Sequence, residues 1–369
     1  MPGWITRDAA LARLGIRPQS LYAYVSRGRI AAAPDPIDPR RSLYSADDVG
    51  TLAARRGRGR SRSAVAAGAI AWGEPVLETS ISTVARGRLR YRGRDAVELS
   101  ETLGLEETAE LILGIRPSPS DAQPGGRLGD AFSALAALVG NARPAAGRSD
   151  ASLLSEAADL AGIVARSVGA APAGAIHAGF AQAWASPDAA DAIRRALVLM
   201  ADHELNASTF AARVAASTGA PLPACLLAGL AALAGPFHGG AAASALNLAR
   251  EARQGKPVAL VRRRLAEGRP LPGFGHPLYA GIDSRAAALL DAIPTGGELD
   301  ELRAAVLEET GQQPNVDFAT ATLVLAHDLP DDAPIRLFAA ARTVGWLAHV
   351  LEQVRSGALI RPRARYVGE

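Results

Sequence analysis

The stretch Gly235-Pro236-Phe237-His238-Gly239-Gly240-Ala241 places a histidine on a turn between two apolar runs. Pro236 is expected to end the preceding helix, because proline cannot continue one. The glycines after His238 let a ligand approach the backbone. The following run predicts a helix that begins beside His238, and the positive end of a helix disfavours a protonated imidazole. A neutral His238 could therefore donate a hydrogen bond to a carbonyl oxygen.

Two later stretches repeat this arrangement of a polar side chain on a Gly- or Pro-rich turn. In Gly273-Phe274-Gly275-His276-Pro277-Leu278-Tyr279 a second histidine follows a glycine, and Arg285 comes soon after it. In Gln313-Pro314-Asn315-Val316-Asp317-Phe318 a carboxylate stands between two apolar residues. Burying such a carboxylate is costly, and loss of solvent would raise its pKa and make it a stronger base. These residues predict an acid–base site made of His238, His276 and Asp317.

The surrounding sequence is rich in alanine and helical in its pattern almost throughout, so we predict a mainly α fold. Only two short strands are expected in this part of the chain, over Val76–Ile81 and Arg88–Tyr91. Apolar residues make up 49% of the 369 residues and charged residues 21%, which favours a folded chain with a large core.

The charge is concentrated in the first part of the chain. Residues 1–62 contain twelve arginines and five aspartates, with no lysine or glutamate, which gives a net charge of +7. The remaining residues have a net charge of −4. A basic segment on a mildly acidic body predicts an anionic partner for residues 1–62.

Residues 1–54 resemble the small winged helix-turn-helix of excisionases and mercury-resistance-type regulators. Thr6–Leu14 and a second helix from Pro18 are separated by a glycine turn, and strands of a wing are expected at Gly28–Ile30 and Arg41–Tyr44. The resemblance implies that the second helix enters the DNA major groove. The side chains it would present are Gln19, Ser20, Tyr22 and Arg27. The alternative is a helical oligomerisation or regulatory module that does not bind DNA. Residues 55–63, rich in Arg, Gly and Ser, are predicted to be a linker.

Several classes of protein are disfavoured. Cys225 is the single cysteine, so no intrachain disulfide can form, and the first ten residues lack the apolar region of a secretory signal; we expect a cytoplasmic protein. The uncharged residues 214–249 contain three prolines, so we predict a buried helix there and no membrane span. No metal-ligand spacing and no glycine-rich nucleotide motif is present, so neither a metal nor a cofactor is expected.

Residues 64–369 resemble citrate synthases along nearly their whole length. Besides the three turns, the matching stretches are Ala201–Thr209, Leu89–Gly93, Ala341–His349 and Ile360–Gly368. The resemblance implies a citrate synthase fold with a large helical domain (residues 64–247 and 335–369) and a small helical domain (residues 248–334). It also implies that the small domain closes over the large one, and that the protein is a homodimer or a multiple of dimers.

The resemblance further implies an acyltransferase of the tricarboxylic acid cycle that joins acetyl-coenzyme A to oxaloacetate. Asp317 would take a methyl proton, His238 would stabilise the enol, and His276 would polarise the ketone and protonate the new alkoxide. Oxaloacetate would be bound by four residues, of which the last reaches across the dimer: His203, Arg285, Arg342 and Arg361.

Two alternatives stay open at this point. Several positions depart from the family pattern, among them Pro277, which follows His276 where many family members have arginine. These departures leave the coenzyme A contacts open and the acyl group undecided between acetyl and propionyl. If the enzyme uses propionyl-coenzyme A, it would be a 2-methylcitrate synthase. The other alternative is a DNA-binding regulator whose synthase-like body senses a ligand.

Overall fold

The computed structural model describes residues 3–16, 18–26, 29–35, 38, 41–58, 77–279, 281–364, 366 and 368. The chain forms two compact units. The first contains Met1–Glu78 and Arg363–Glu369, and the second contains Thr79–Pro362. Within the described ranges, no helix has the length and apolar character needed to cross a membrane.

The first unit contains a three-stranded antiparallel sheet and three helices. The sheet order is β1-β3-β2, with strands at Trp4–Thr6 (β1), Ala32–Pro34 (β2) and Ser42–Ser45 (β3). The helices are Arg7–Leu14 (α1), Pro18–Ser26 (α2) and Ala46–Arg58 (α3). As the sequence predicts, the Thr6 side chain caps α1 by accepting from the backbone nitrogen of Ala9, and Gly15 ends that helix in the left-handed conformation. Leu21, Ile30 and Tyr44 lie in the core of this unit.

The first unit differs from expectation in three places. The first wing strand lies at Ala32–Pro34 and not at residues 28–30, and Trp4–Thr6 adds a strand that was not predicted. Helix α3 continues through Arg58, so the first four residues of the predicted linker are helical. Alanine and arginine favour a helix, and acidic residues in its first turn suit the helix dipole. Arg27 and residues 59–63 lie outside the described residues.

The second unit begins with a small antiparallel sheet and is otherwise helical. Its strands are Ser82–Ala85 (β4), Arg88–Tyr91 (β5) and Arg94–Asp95 (β6), so the strand expected at Val76–Ile81 lies just after that range. A short 3-10 helix covers Pro187–Ala189. The α-helices are Ala96–Thr102 (α4), Leu105–Leu113 (α5), Leu128–Val139 (α6), Asp150–Ser167 (α7), Ile176–Ala183 (α8), Ala190–Met200 (α9), Ala207–Ser217 (α10), Leu222–Leu233 (α11), Ala241–Arg253 (α12), Pro257–Ala266 (α13), Ser284–Leu290 (α14), Glu298–Thr310 (α15), Val316–His327 (α16) and Ala333–Ser356 (α17).

Helix α17 is the central element of the second unit. It has 24 residues, and nearly all of those from Ala333 to Gln353 are buried. It packs against α5, α7, α9 and α10. A helix that is buried on all sides must lie inside a bundle. Polar residues on α17 are therefore placed deep within the unit.

The predicted division into large and small domains is not marked by a break between elements. Residue 248 lies within α12 and residue 334 lies within α17. The division stays a prediction.

Candidate active site

His238 lies on the turn between α11 and α12, as the sequence predicts. Its backbone nitrogen donates to the carbonyl of Gly235 at 3.0 Å. The next residue must be small, because a Cβ atom at Gly239 would lie 2.6 Å from the carbonyl oxygen of Leu233. The Nε2 atom of His238 lies 2.8 Å from the hydroxyl of Ser208. Burial, with a smaller contribution from Arg342, lowers the pKa of His238 to about 4, so the ring is neutral at pH 7.

The two other predicted turns are joined directly to each other. The backbone nitrogen of Gly275 donates to the carbonyl of Gln313 at 2.8 Å, and the Asn315 amide donates to the carbonyl of Gly275 at 3.0 Å. The turn that carries His276 is therefore fixed to the turn that carries Asp317. Segments almost 40 residues apart in sequence form one structure.

Asp317 is the second residue of α16. The Asn315 side chain caps this helix, accepting from the backbone nitrogens of Asp317 and Phe318 at 3.0 and 3.4 Å. Burial raises the pKa of Asp317 to about 6, although the nearby Arg285 opposes the rise. At pH 7 the group is a carboxylate that is a stronger base than an ordinary aspartate.

His276 is also neutral, and its hydrogen bond fixes the position of its proton. Burial, assisted by Arg285, lowers its pKa to about 4. The backbone nitrogen of Leu278 donates to Nδ1 of His276 at 3.2 Å. The proton of the neutral ring must then be on Nε2, which makes this atom a hydrogen-bond donor.

His203 and Tyr279 complete an aromatic cluster around His276. His203 Nε2 lies 3.0 Å from the Tyr279 hydroxyl, and the ring centroids of His203 and His276 are 5.2 Å apart. Burial lowers the pKa of His203 well below its usual value. Tyr279 was not singled out from the sequence, although it stands three residues after His276 in the same turn motif.

Two of the predicted arginines are buried beside these groups. Arg285 forms a two-point ion pair with Asp283, at 3.0 and 2.7 Å. Arg342 donates from Nε to the carbonyl of Met200 at 2.9 Å, and its guanidinium lies 4.6 Å from the ring centroid of Phe338. Burial lowers the pKa of Arg342 to about 10, which leaves it a cation at pH 7. One terminal nitrogen of Arg342 is buried and has no hydrogen-bond partner among the described residues.

The remaining predicted site residues lie elsewhere. Arg361 is exposed and follows the last helix. In the first unit, Gln19 and Ser20 are exposed on α2, and Tyr22 is 51% exposed on the same helix.

The site brings together the Asp317 carboxylate, three neutral histidines and two buried cations. A base near neutral pH can remove a proton from carbon beside a carbonyl group. Neutral imidazoles can stabilise the enolate oxygen and polarise a second carbonyl. Guanidinium groups suit carboxylates because their planar donors bind two oxygens at once.

Comparison with known proteins places the chain among citrate synthases. The family described as "Citrate synthase, C-terminal domain" matches residues 114–363. The chain is similar to the citrate synthase of Haloferax volcanii, with 38% identity over 192 residues, which cover 49% of this chain and 51% of that protein. The chain thus spans about half the length of the curated relatives it matches.

Solved structures show the same fold over more of the chain. Citrate synthase from Pyrobaculum aerophilum has a TM-score of 0.67 and 26% identity, covering 80% of this chain and 91% of that one. A ternary complex of the Thermoplasma acidophilum enzyme with carboxymethyl coenzyme A and oxaloacetate has a TM-score of 0.65 and 24% identity, covering 80% of this chain and 94% of that one. This last similarity bears on the fold alone.

Proposed function

The chain belongs to the citrate synthase family, and we propose that it condenses acetyl-coenzyme A with oxaloacetate to give citrate and coenzyme A. The observation that supports the proposal most directly is the environment of Asp317. Burial raises the pKa of its carboxyl group to about 6, and it directly follows the turn that is hydrogen-bonded to the turn of the neutral His276. Such a base can take a proton from a weak carbon acid without being protonated at rest.

In the first step, the Asp317 carboxylate removes a proton from the methyl group of acetyl-coenzyme A. The electron pair moves to the thioester oxygen, which His238 stabilises by donating from Nδ1. The Ser208 hydroxyl lies 2.8 Å from His238 Nε2, accepts from Trp346 at 3.1 Å and donates to Asn206 Oδ1 at 2.7 Å. Donation from Nδ1 therefore requires the Ser208 proton to turn from Asn206 to His238 Nε2, which leaves the ring proton on Nδ1.

In the second step, the enol carbon attacks the ketone of oxaloacetate and forms the new carbon–carbon bond. His276 donates from Nε2 to the ketone oxygen and protonates the alkoxide. Water then cleaves the thioester of citryl-coenzyme A, releasing citrate and the thiol. Arg342, Arg285 and His203 bind the carboxylates of oxaloacetate. Asp283 neutralises part of the charge of Arg285, whereas Arg342 has a terminal nitrogen with no hydrogen-bond partner among the described residues.

We further propose that two chains associate through the uncharged region formed by α11 and the turn that follows it. Residues 214–249 carry no formal charge, and Phe237, on the turn between α11 and α12, is 102% exposed. Contiguous exposed apolar surface is typical of an interaction site. Association would also give Arg361 a substrate site in the other chain.

A thiol-release assay with oxaloacetate tests the enzymatic proposal. Acetyl-coenzyme A and propionyl-coenzyme A should be compared at equal concentrations, with malate in place of oxaloacetate as the control. We expect turnover with acetyl-coenzyme A and none with malate. A kcat/KM that is higher for propionyl-coenzyme A would identify a 2-methylcitrate synthase. No thiol release with either donor would refute the synthase proposal.

DNA binding by residues 1–62 is the second candidate, and the surface of α2 favours it. Gln19, Ser20 and Tyr22 are exposed together on this helix, in a segment with a net charge of +7. Phosphate contacts release counterions, so the logarithm of affinity should fall with the logarithm of salt concentration by about 0.9 per contact. Binding to genomic fragments should be measured for the full chain and for residues 63–369. Binding that is insensitive to salt, or that survives the deletion, would contradict this candidate.

A further inference from the structure

The segment between α9 and α10, residues 201–206, connects two parts of the candidate site. His203 lies in this segment. The last residue of the segment, Asn206, caps α10 by accepting from the backbone nitrogens of Ser208 and Thr209, both at 3.1 Å. Ser208 is the residue that contacts His238. A shift of the segment would therefore move both histidines.

The segment is held by the side chain of Asp202, which is fully buried. One carboxylate oxygen of Asp202 accepts from the Ser82 hydroxyl on β4 and lies 3.1 Å from His349 Nε2 on α17. Asp202 and His349 are 147 residues apart in sequence. The contact joins the segment to the central helix of this unit.

Arg213 on α10 sets the orientation of His349. Its Nη1 atom lies 3.4 Å from Nδ1 of His349, and a guanidinium can only donate. Nδ1 must therefore accept, so Nε2 carries the proton and donates to Asp202. Arg213 is itself held by Gln353 at 2.9 Å and by Glu352 at 3.1 Å.

Helix α17 approaches the segment so closely that Gly345 is required at the contact. The backbone nitrogen of Gly345 donates to the carbonyl of Ala201 at 3.2 Å. A Cβ atom at this position would lie 2.5 Å from that carbonyl oxygen and closer still to the Asp202 carboxylate. On the same helix, Arg342 donates to the carbonyl of Met200. Residues 200–202 are thus bound to α17 by both backbone and side chains.

We propose that Asp202, His349 and Arg213 form a positioning network that sets the distance of His203 and His238 from Arg342. This proposal rests on the proposed synthase function. None of the three residues belongs to the groups assigned to the substrates. Their role is to hold the segment against α17 so that the two histidines and the arginine meet the substrates in a fixed geometry. Small displacements of such groups lower turnover strongly.

The test compares His349→Leu with His349→Gln in the full-length chain. The glutamine amide can still donate to Asp202 and accept from Arg213, whereas leucine can do neither. For His349→Leu we expect kcat to fall about tenfold or more and KM for oxaloacetate to rise several-fold. His349→Gln should remain within about 1.5-fold of the parent chain in both constants. His327→Leu removes another helix histidine, outside the network, and should change neither.

All measurements are made well below the melting temperature of each variant, so that loss of folded protein does not contribute. If His349→Leu lowers Tm but leaves kcat and KM unchanged, the network only stabilises the fold and the proposal is wrong. If that variant does not fold, Ser82→Ala replaces it, since it removes one hydrogen bond to Asp202. We then expect kcat/KM to fall about threefold, and an unchanged value overturns the proposal.

The synthase proposal and the network proposal can fail separately. If the parent chain has no condensation activity, the synthase proposal is wrong. The network proposal can then still be tested by calorimetric titration with oxaloacetate. His349→Leu should weaken binding about fivefold or more relative to the parent chain, with His349→Gln close to the parent. Equal affinities in the three proteins, or no binding by the parent chain, would overturn the network proposal.

Discussion

At the scale of single residues, Asp317 is the proposed base, and its replacement by asparagine tests the proton transfer alone. The amide keeps the size of the side chain but cannot accept the proton. We expect Asp317→Asn to lose about a hundredfold or more in kcat with little change in KM, as for removal of a general base. Steady-state kinetics check this. Asp159→Asn alters an exposed carboxylate on α7 and should leave both constants unchanged. An Asp317→Asn variant with more than about a tenth of the parent turnover would disprove the assignment.

The raised pKa of Asp317 also predicts the acid limit of activity. The base must be ionised, and burial raises its pKa to about 6. We therefore expect kcat/KM to be level near pH 8 and to fall about tenfold per pH unit below the pKa. Rates measured from pH 5 to pH 8.5 check this. A profile that stays level down to pH 5 would show that the proton is taken by a group with a lower pKa.

The raised pKa of Asp317 also makes the stability of the folded chain depend on pH. The pKa of Asp317 is about 6 in the folded chain against an ordinary value of 3.8, so the folded chain binds this proton more tightly than the unfolded chain. Protonation of Asp317 therefore stabilises the folded chain. This stabilisation is complete below the ordinary pKa of 3.8 and is lost as the pH rises through 6. Asparagine lacks the buried charge. Asp317→Asn should thus melt at a higher temperature than the parent at pH 8, with a smaller difference at pH 4. Equal Tm differences at both pH values would contradict this.

At the scale of elements, the turns could be predicted from the sequence but the contacts between helices could not. Gly239 and Gly275 adjoin the histidines and mark the turns locally, and a polar residue on such a turn is visible in the sequence. Asp202 and His349 belong to stretches that resemble the family, but nothing in the sequence pairs them, because they meet only through the fold. Tyr279 stands in one of the turn motifs, but its contact with His203, 76 residues earlier, also depends on the fold. The strand at Trp4–Thr6 was missed because its partner, β3, is nearly 40 residues further along the chain.

The packing of α17 against residues 201–202 leads to a prediction about a single methyl group. Gly345→Ala should force the helix away from the carbonyl of Ala201, since a Cβ atom would lie 2.5 Å from its oxygen. Such overpacking typically costs about 1–3 kcal/mol, and we expect a lower Tm together with a lower kcat. Gly129→Ala is the matched control, because Gly129 is also helical and nothing lies within 4 Å of the added carbon. If both variants behave alike, the close approach has no energetic importance.

At the scale of the whole molecule, the exposed position of Arg361 leads to a prediction about chain pairing. Arg361→Ala chains and Asp317→Asn chains should each be nearly inactive. If Arg361 completes the site of the other chain, a mixed dimer contains one site with both residues intact and one with neither. Refolding the two variants together at equal concentration should restore about a quarter of parent activity, since half of the dimers are mixed and each has one of two sites intact. Refolding each variant alone provides the baseline. A mixture no more active than the two separate samples would show that Arg361 does not act across a dimer.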